Sequence, residues 1–212
     1  MFKRIFKKIK NLIFWTTCSI WFEKTLKESP DTFSPNIDIS IEYLMEDISK
    51  LSDWLKTHHA VFPWIYFGKE LETAQANSHI YVCILHRSNI IGYIKVGINN
   101  VYIHDFDKVV HFPSKIAFIY DTFVLPEYRG KRIASCAIIE TIQFLEERGL
   151  EKLWCHIEGW NHASLKTFQK VGFKKKASIR FFRLFGFPFF LQDGYKPLKS
   201  LEAFWEAHYG MS

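Results

Sequence analysis

Phe123-Val124-Leu125-Pro126-Glu127-Tyr128-Arg129-Gly130-Lys131-Arg132-Ile133-Ala134-Ser135 is the stretch on which the fold turns. Ile116 to Val124 reads as an apolar strand that ends at Pro126. After Gly130, the residues Ile133, Ala134, Ala137, Ile138, Ile142 and Leu145 recur at helical spacing, and Gly149 can close the helix they form. A strand that turns tightly into a helix makes an anion site, because first-turn amides lack internal acceptors and the helix dipole adds positive potential. Gly130 permits the sharp turn, while Ala134 and Ser135 leave room for a phosphate beside the backbone. Taken alone, the same residues also suit an ordinary strand-turn-helix connection.

Upstream, Ile37-Asp38-Ile39-Ser40-Ile41 alternates as a strand does, and Leu44, Ile48, Leu51 and Leu55 follow at helical spacing. His79 to His86 and Ile90 to Val96 form a hairpin about Arg87-Ser88-Asn89. Downstream come a strand at Leu153 to Ile157 and a short helix at Ala163 to Lys170. Aromatic strands follow over Phe173 to Leu191, around Gly186-Phe187-Pro188, and then a final helix at Leu198 to Tyr209. No repeat or low-complexity tract interrupts the order.

The chain has 212 residues and a formal charge of +6, enough for one domain with an extension. Lys3, Arg4, Lys7, Lys8 and Lys10 carry five of those charges, so the rest is nearly neutral and offers no basic patch for nucleic acid. At 100° per residue, Phe2, Ile5, Phe6, Ile9, Leu12, Ile13 and Ile20 share one face, which predicts a basic amphipathic helix over residues 1–22. Its apolar run is too short to span a bilayer, so it lies on an anionic membrane surface or docks on a partner. The charged start also fits a secretory signal, but no cleavage site of small residues follows. Residues 23–36, with Pro30 and Pro35, read as a linker, and the domain proper as 37–212. Cys18, Cys83, Cys136 and Cys155 show no metal-like spacing, which fits a reducing cytoplasm. His58-His59 has no matching acidic cluster, and no metal is expected.

With these residues in place, the chain resembles the GCN5-related N-acetyltransferases. Their turn reads approximately Gln/Arg-x-x-Gly-x-Gly/Ala after a strand ending Val-x-Pro; here it is Arg129-x-x-Arg132-x-Ala134, with Arg132 where glycine is usual. Asn161-His162-Ala163-Ser164-Leu165-Lys166-Thr167-Phe168-Gln169-Lys170-Val171-Gly172-Phe173 is similar to the family's later motif, and Ile90-Ile91-Gly92-Tyr93 to its earlier strands. The resemblance covers about residues 37 to 190. It implies an α/β (α+β) fold with a central mixed, mostly antiparallel sheet flanked by helices, here preceded by the amphipathic helix.

The resemblance also implies direct transfer of an acetyl group from acetyl-coenzyme A, as substrate, to a primary amine. Carried over by position, the main chain at Phe123 and Val124 faces the acetyl and pantetheine portion. The amides of Arg129, Gly130, Lys131, Arg132, Ile133 and Ala134, with small Ser135 beside them, hold the pyrophosphate, and Asn161 contacts the pantetheine arm. Asp121 and Glu158 are the candidate bases, with His156 next. The family's tyrosine acid is replaced by Phe168, leaving unassisted departure of the thiolate, a water or Tyr120, or else loss of catalysis. Phe181, Phe182, Phe185, Phe187, Phe189 and Phe190 read as the core of terminal strands. With the amphipathic start they also allow a membrane-linked amine, such as an amino sugar on a lipid carrier, as acceptor. A longer acyl donor, a silent coenzyme A-binding module and a membrane scaffold remain as alternatives.

Overall fold

The computed structural model describes residues 14–27, 33–58, 74, 76–103, 108–184 and 187–194. The described strands are β1 (Phe14–Thr25), β2 (Ser40–Leu44), β3 (Ile80–His86), β4 (Asn89–Ile98), β5 (Asn100–Ile103), β6 (Lys108–His111), β7 (Ile116–Val124), β8 (Lys152–Glu158), β9 (Lys174–Leu184) and β10 (Phe187–Gly194). Three helices accompany them: α1 (Ser49–Thr57), α2 (Ile133–Glu147) and α3 (His162–Lys170). Eight strands form one sheet in the order β10-β9-β1-β8-β7-β4-β3-β2, and β5 pairs with β6 as a separate hairpin. Every neighbouring pair in the large sheet is antiparallel except β7 and β8. The mixed, mostly antiparallel sheet with flanking helices is therefore present.

The amphipathic helix expected over residues 1–22 is not formed from Phe14 onward. Residues 14–25 are β1, an interior strand bonded to β8 on one edge and β9 on the other, while residues 1–13 lie outside the described residues. The reason is tertiary: Ile20, Trp21 and Phe22 are β-branched or aromatic and suit a strand as well as a helix, and two open sheet edges decide between them. Trp21 and Phe22 are each only 1% exposed. The linker reading of 23–36 fails at both ends. Glu23 lies in β1 and pairs with Lys152 at 3.1 Å and Lys176 at 3.2 Å. Asn36 donates its backbone N–H to the Lys131 carbonyl at 3.1 Å, and Phe33 packs on the core. The domain thus begins at or before Phe14, not near Ile37.

Two apolar clusters fill the two sides of this sheet. The larger gathers residues of β2, β3, β4, α1, α2 and α3, with Ile133, Ala137, Ile138, Ile142 and Leu145 as the buried stripe of α2. The smaller joins Trp21, Phe118, Trp154 and Ile179 to Val101, Ile103 and Val110 of the β5–β6 hairpin. That hairpin was not anticipated, because four-residue strands are too short for alternation to stand out. Leu44 ends β2 and does not join α1. The expected helix at Leu198 to Tyr209 lies outside the described residues.

Because β1 is interior, a chain lacking residues 1–27 is expected to lose cooperative unfolding, read by circular dichroism. Trp21→Ala in the full chain is expected to lower stability by about 3–5 kcal/mol in denaturant titration.

Candidate functional site

The parallel pair β7 and β8 is short. Its register runs from Ile116 opposite Lys152 to Ile119 opposite Cys155 and then ends. Beyond that point β7 stays bonded to β4 as far as Val124 opposite Gly92, and β8 stays bonded to β1 as far as Glu158 opposite Ser19. Each strand keeps its outer partner, so the two draw apart. A bulge marks the same place: Lys95 faces Asp121 while Val96 faces Ile119, leaving Tyr120 as the extra residue. The parting opens a cavity of about 240 Å³ lined by both strands, by Trp160 and Asn161, and by Ser164 and Phe168 of α3.

Asp121 and Glu158, the two candidate bases, both line this cavity. Asp121 Oδ2 accepts the Tyr93 hydroxyl at 2.8 Å and faces Lys95 Nζ at 3.5 Å. Lys95 is almost fully enclosed, so Asp121 is the counter-charge of a buried ammonium as well as a cavity wall. Glu158 is half-buried at the end of β8. His156 also lines the cavity, with Nδ1 held 2.9 Å from Ser19 Oγ and its ring stacked against Phe118. Thr122 Oγ1 is buried at the cavity and has no hydrogen-bond partner. Cys155 is another wall, and burial pushes its thiol well above the ordinary value, which removes it as a thiolate nucleophile.

The predicted phosphate turn lies beyond the far end of β7, and none of Phe123, Val124 and 129–135 lines the cavity itself. A 3₁₀ turn at Pro126–Tyr128 leads to Gly130 at φ 78° and Arg132 at φ 62°, directly before α2. Arg132 is thus left-handed and occupies the glycine position at a cost of about 1 kcal/mol. It gives α2 no side-chain cap. In a helix, the amides of Ile133, Ala134 and Ser135 have no carbonyl one turn back to accept them, so they present an anion cradle. Arg129 turns inward, donating Nε–H to the Val124 carbonyl at 2.9 Å with its guanidinium 5.1 Å from the Phe123 ring centroid. Asn161 caps α3 by accepting the Ser164 N–H at 3.2 Å, which leaves its amide nitrogen for a ligand in the cavity.

Comparison with known proteins identifies the family. The family model described as the acetyltransferase (GNAT) family matches residues 41–173. The chain belongs to the GNAT acetyltransferase family. An uncharacterized N-acetyltransferase of Bacillus subtilis, YycN, is 28% identical over 149 residues, covering 68% of this chain and 88% of that protein. An uncharacterized N-acetyltransferase of Methanocaldococcus jannaschii, MJ1207, is 28% identical over 68 residues, covering 31% of this chain and 29% of that protein. Among solved structures, a GCN5-related N-acetyltransferase from Sphaerobacter thermophilus superposes with a TM-score of 0.53 at 10% identity, over 91% of this chain and 58% of that one. At that identity the likeness is one of fold. GNAT enzymes are transferases that use acetyl-coenzyme A.

The matched segment ends before β9 and begins after β1, yet β1 supplies Ser19 behind His156. Lys95, a lone charge inside the apolar run Ile90 to Val96, was a readable sign of a buried partner. Ser19, His79 and Thr122 carried none.

Gly130→Ala is expected to cost about 1 kcal/mol through its left-handed backbone, whereas Arg132→Gly costs nothing or stabilises, both read by denaturant midpoint. Asp121→Asn is expected to remove about 3 kcal/mol by leaving Lys95 without its carboxylate, read by the same midpoint.

Proposed function

We propose that this GNAT chain transfers an acetyl group from acetyl-coenzyme A directly to a primary amine bound at the parting of β7 and β8. The observation that carries this reading is a small two-walled cavity bearing two carboxylates, placed at the end of a strand that leads into a helix N-terminus able to hold phosphate. The pyrophosphate rests on the amides of 130–135, and the pantetheine arm runs along Phe123 and Val124 toward Asn161. The orphaned Thr122 hydroxyl supplies a donor for the thioester oxygen or a pantetheine amide. Asp121 and Glu158 draw the ammonium group into the cavity, and Glu158, at the end of β8, takes its first proton. Trp160 stands 73% exposed at the rim, where a ring or a cation can lie on its face.

A volume of about 240 Å³ lies below the roughly 300–1,000 Å³ of pockets for drug-sized ligands, which favours a two-carbon acyl group over a long chain. Cys155, protonated and buried, supports transfer without an acyl-enzyme. The membrane-linked acceptor drew on the phenylalanines of the terminal strands together with an amphipathic helix over residues 1–22. Phe14–Thr25 is a strand inside the sheet, with Trp21 and Phe22 buried, and the acceptor proposed is a primary amine that needs no lipid anchor. Among the described residues no helix is long and apolar enough to cross a membrane.

Acetyl-coenzyme A at a hundredfold excess over its dissociation constant is expected to stabilise the full chain by about 2.7 kcal/mol, a rise of roughly 5–10 °C in the thermal midpoint. Palmitoyl-coenzyme A is expected to gain nothing over coenzyme A itself. Thiol release with a panel of alkylamines, hexosamines and polyamines then tests transfer, and Glu158→Gln is expected to lower kcat/KM by about 10²-fold. Binding without release from any amine would favour a silent coenzyme A-binding module.

A further inference from the structure

His79 precedes β3 and is only 2% exposed. Its Nε2 lies 2.8 Å from the Asn100 carbonyl oxygen and its Nδ1 lies 3.3 Å from the Tyr120 hydroxyl. A carbonyl oxygen can only accept, so Nε2 carries a hydrogen. Burial lowers the pKa of His79, and the neutral ring therefore leaves a lone pair on Nδ1. The Tyr120 O–H must donate to it. Tyr120 is the bulged residue of β7 and lines the same cavity as Asp121, Glu158 and Phe168. Its phenolic proton points to His79, and the residue forms part of the cavity wall.

We propose that Tyr120, backed by His79, is a two-way proton shuttle that replaces the acid missing at Phe168; this rests on the acyl-transfer reading above. Attack of the neutral amine on the thioester carbonyl forms the C–N bond and leaves a proton on nitrogen. That proton passes to the Tyr120 oxygen as the Tyr120 proton passes to His79 Nδ1, giving an imidazolium still bonded to the Asn100 carbonyl. Collapse of the intermediate breaks the C–S bond, and the electron pair goes to sulfur. The shuttle then reverses: His79 returns its proton to Tyr120, and Tyr120 protonates the thiolate. Amide and thiol form, and both side chains regain their starting state.

Lys95 on β4 lies 5.9 Å from the Tyr120 ring centroid and is countered by Asp121, which also holds the Tyr93 hydroxyl. Glu158 and His156 of β8 complete the cavity wall. Tyr120 meets the reacting atoms and is the catalytic residue, whereas His79 acts through it and is a positioning residue.

The full 212-residue chain tests this with acetyl-coenzyme A and the amine panel. Tyr120→Phe and His79→Asn are each expected to lower kcat about 10²-fold, with KM for acetyl-coenzyme A and the thermal shift it produces unchanged. Asn can accept the Tyr120 hydroxyl but cannot store a proton. The double variant is expected to lose no more than the worse single one, as for two residues in one relay. Imidazole ¹⁵N spectra of the wild type should show the Nε2–H tautomer of His79 at neutral pH, with its Nδ1 resonance moved in Tyr120→Phe. Unchanged kcat in Tyr120→Phe, or an Nδ1–H tautomer, overturns the shuttle and leaves acyl transfer standing. Absence of thiol release by the wild type with every amine overturns acyl transfer, and the shuttle with it.

Discussion

The parting of β7 from β8 after Ile119 and Cys155 is the constraint from which the rest of the site follows. Two parallel strands that separate while still extended must each be held from outside, or their backbone groups would be left without partners. Here β4 holds β7 and β1 holds β8, each to within a residue of the opening's end. The bulge at Tyr120 sits where the strands separate, and it re-aims the side chains of Tyr120, Asp121 and Thr122. The separation is a structural consequence of pairing on the outer edges, and the cavity is its by-product.

That arrangement explains why polar groups gather in the middle of an otherwise apolar sheet. Lys95, Asp121 and Tyr93 form one contact set on the β4 side, and Tyr120, His79 and the Asn100 carbonyl form another. Ser19 and His156 form a third on the β8 side. Each set satisfies groups that the apolar clusters on either side could not. Each set has one member in the cavity wall, Asp121, Tyr120 and His156 respectively, where β7 and β8 part inside the sheet.

Much of the architecture was legible locally. The hairpin at Arg87-Ser88-Asn89, β7, α2, β8 and α3 lie within a few residues of the positions that periodicity, Pro126, Gly130 and Gly149 imply. So was the tight turn from β7 into α2, although the left-handed backbone of Arg132 was not, because an arginine carries no local mark of that conformation. Asp121, Glu158 and Asn161 line one cavity. His79 was hidden, since it lies 41 residues from Tyr120 and only the β3–β4–β7 pairing brings them together.

Sequence by itself determined the β3–β4 hairpin, β7, α2, β8, α3 and the family, because hydrophobic period, turn residues and the two motifs are local properties of the chain. Tertiary structure alone decided the state of Phe14–Thr25, whose aromatic and β-branched residues suit helix or strand alike until the edges of β8 and β9 offer them hydrogen bonds. It also decided which polar residues share the cavity, because a contact such as Ser19 with His156 spans 137 residues and arises only when an interior strand is laid in place.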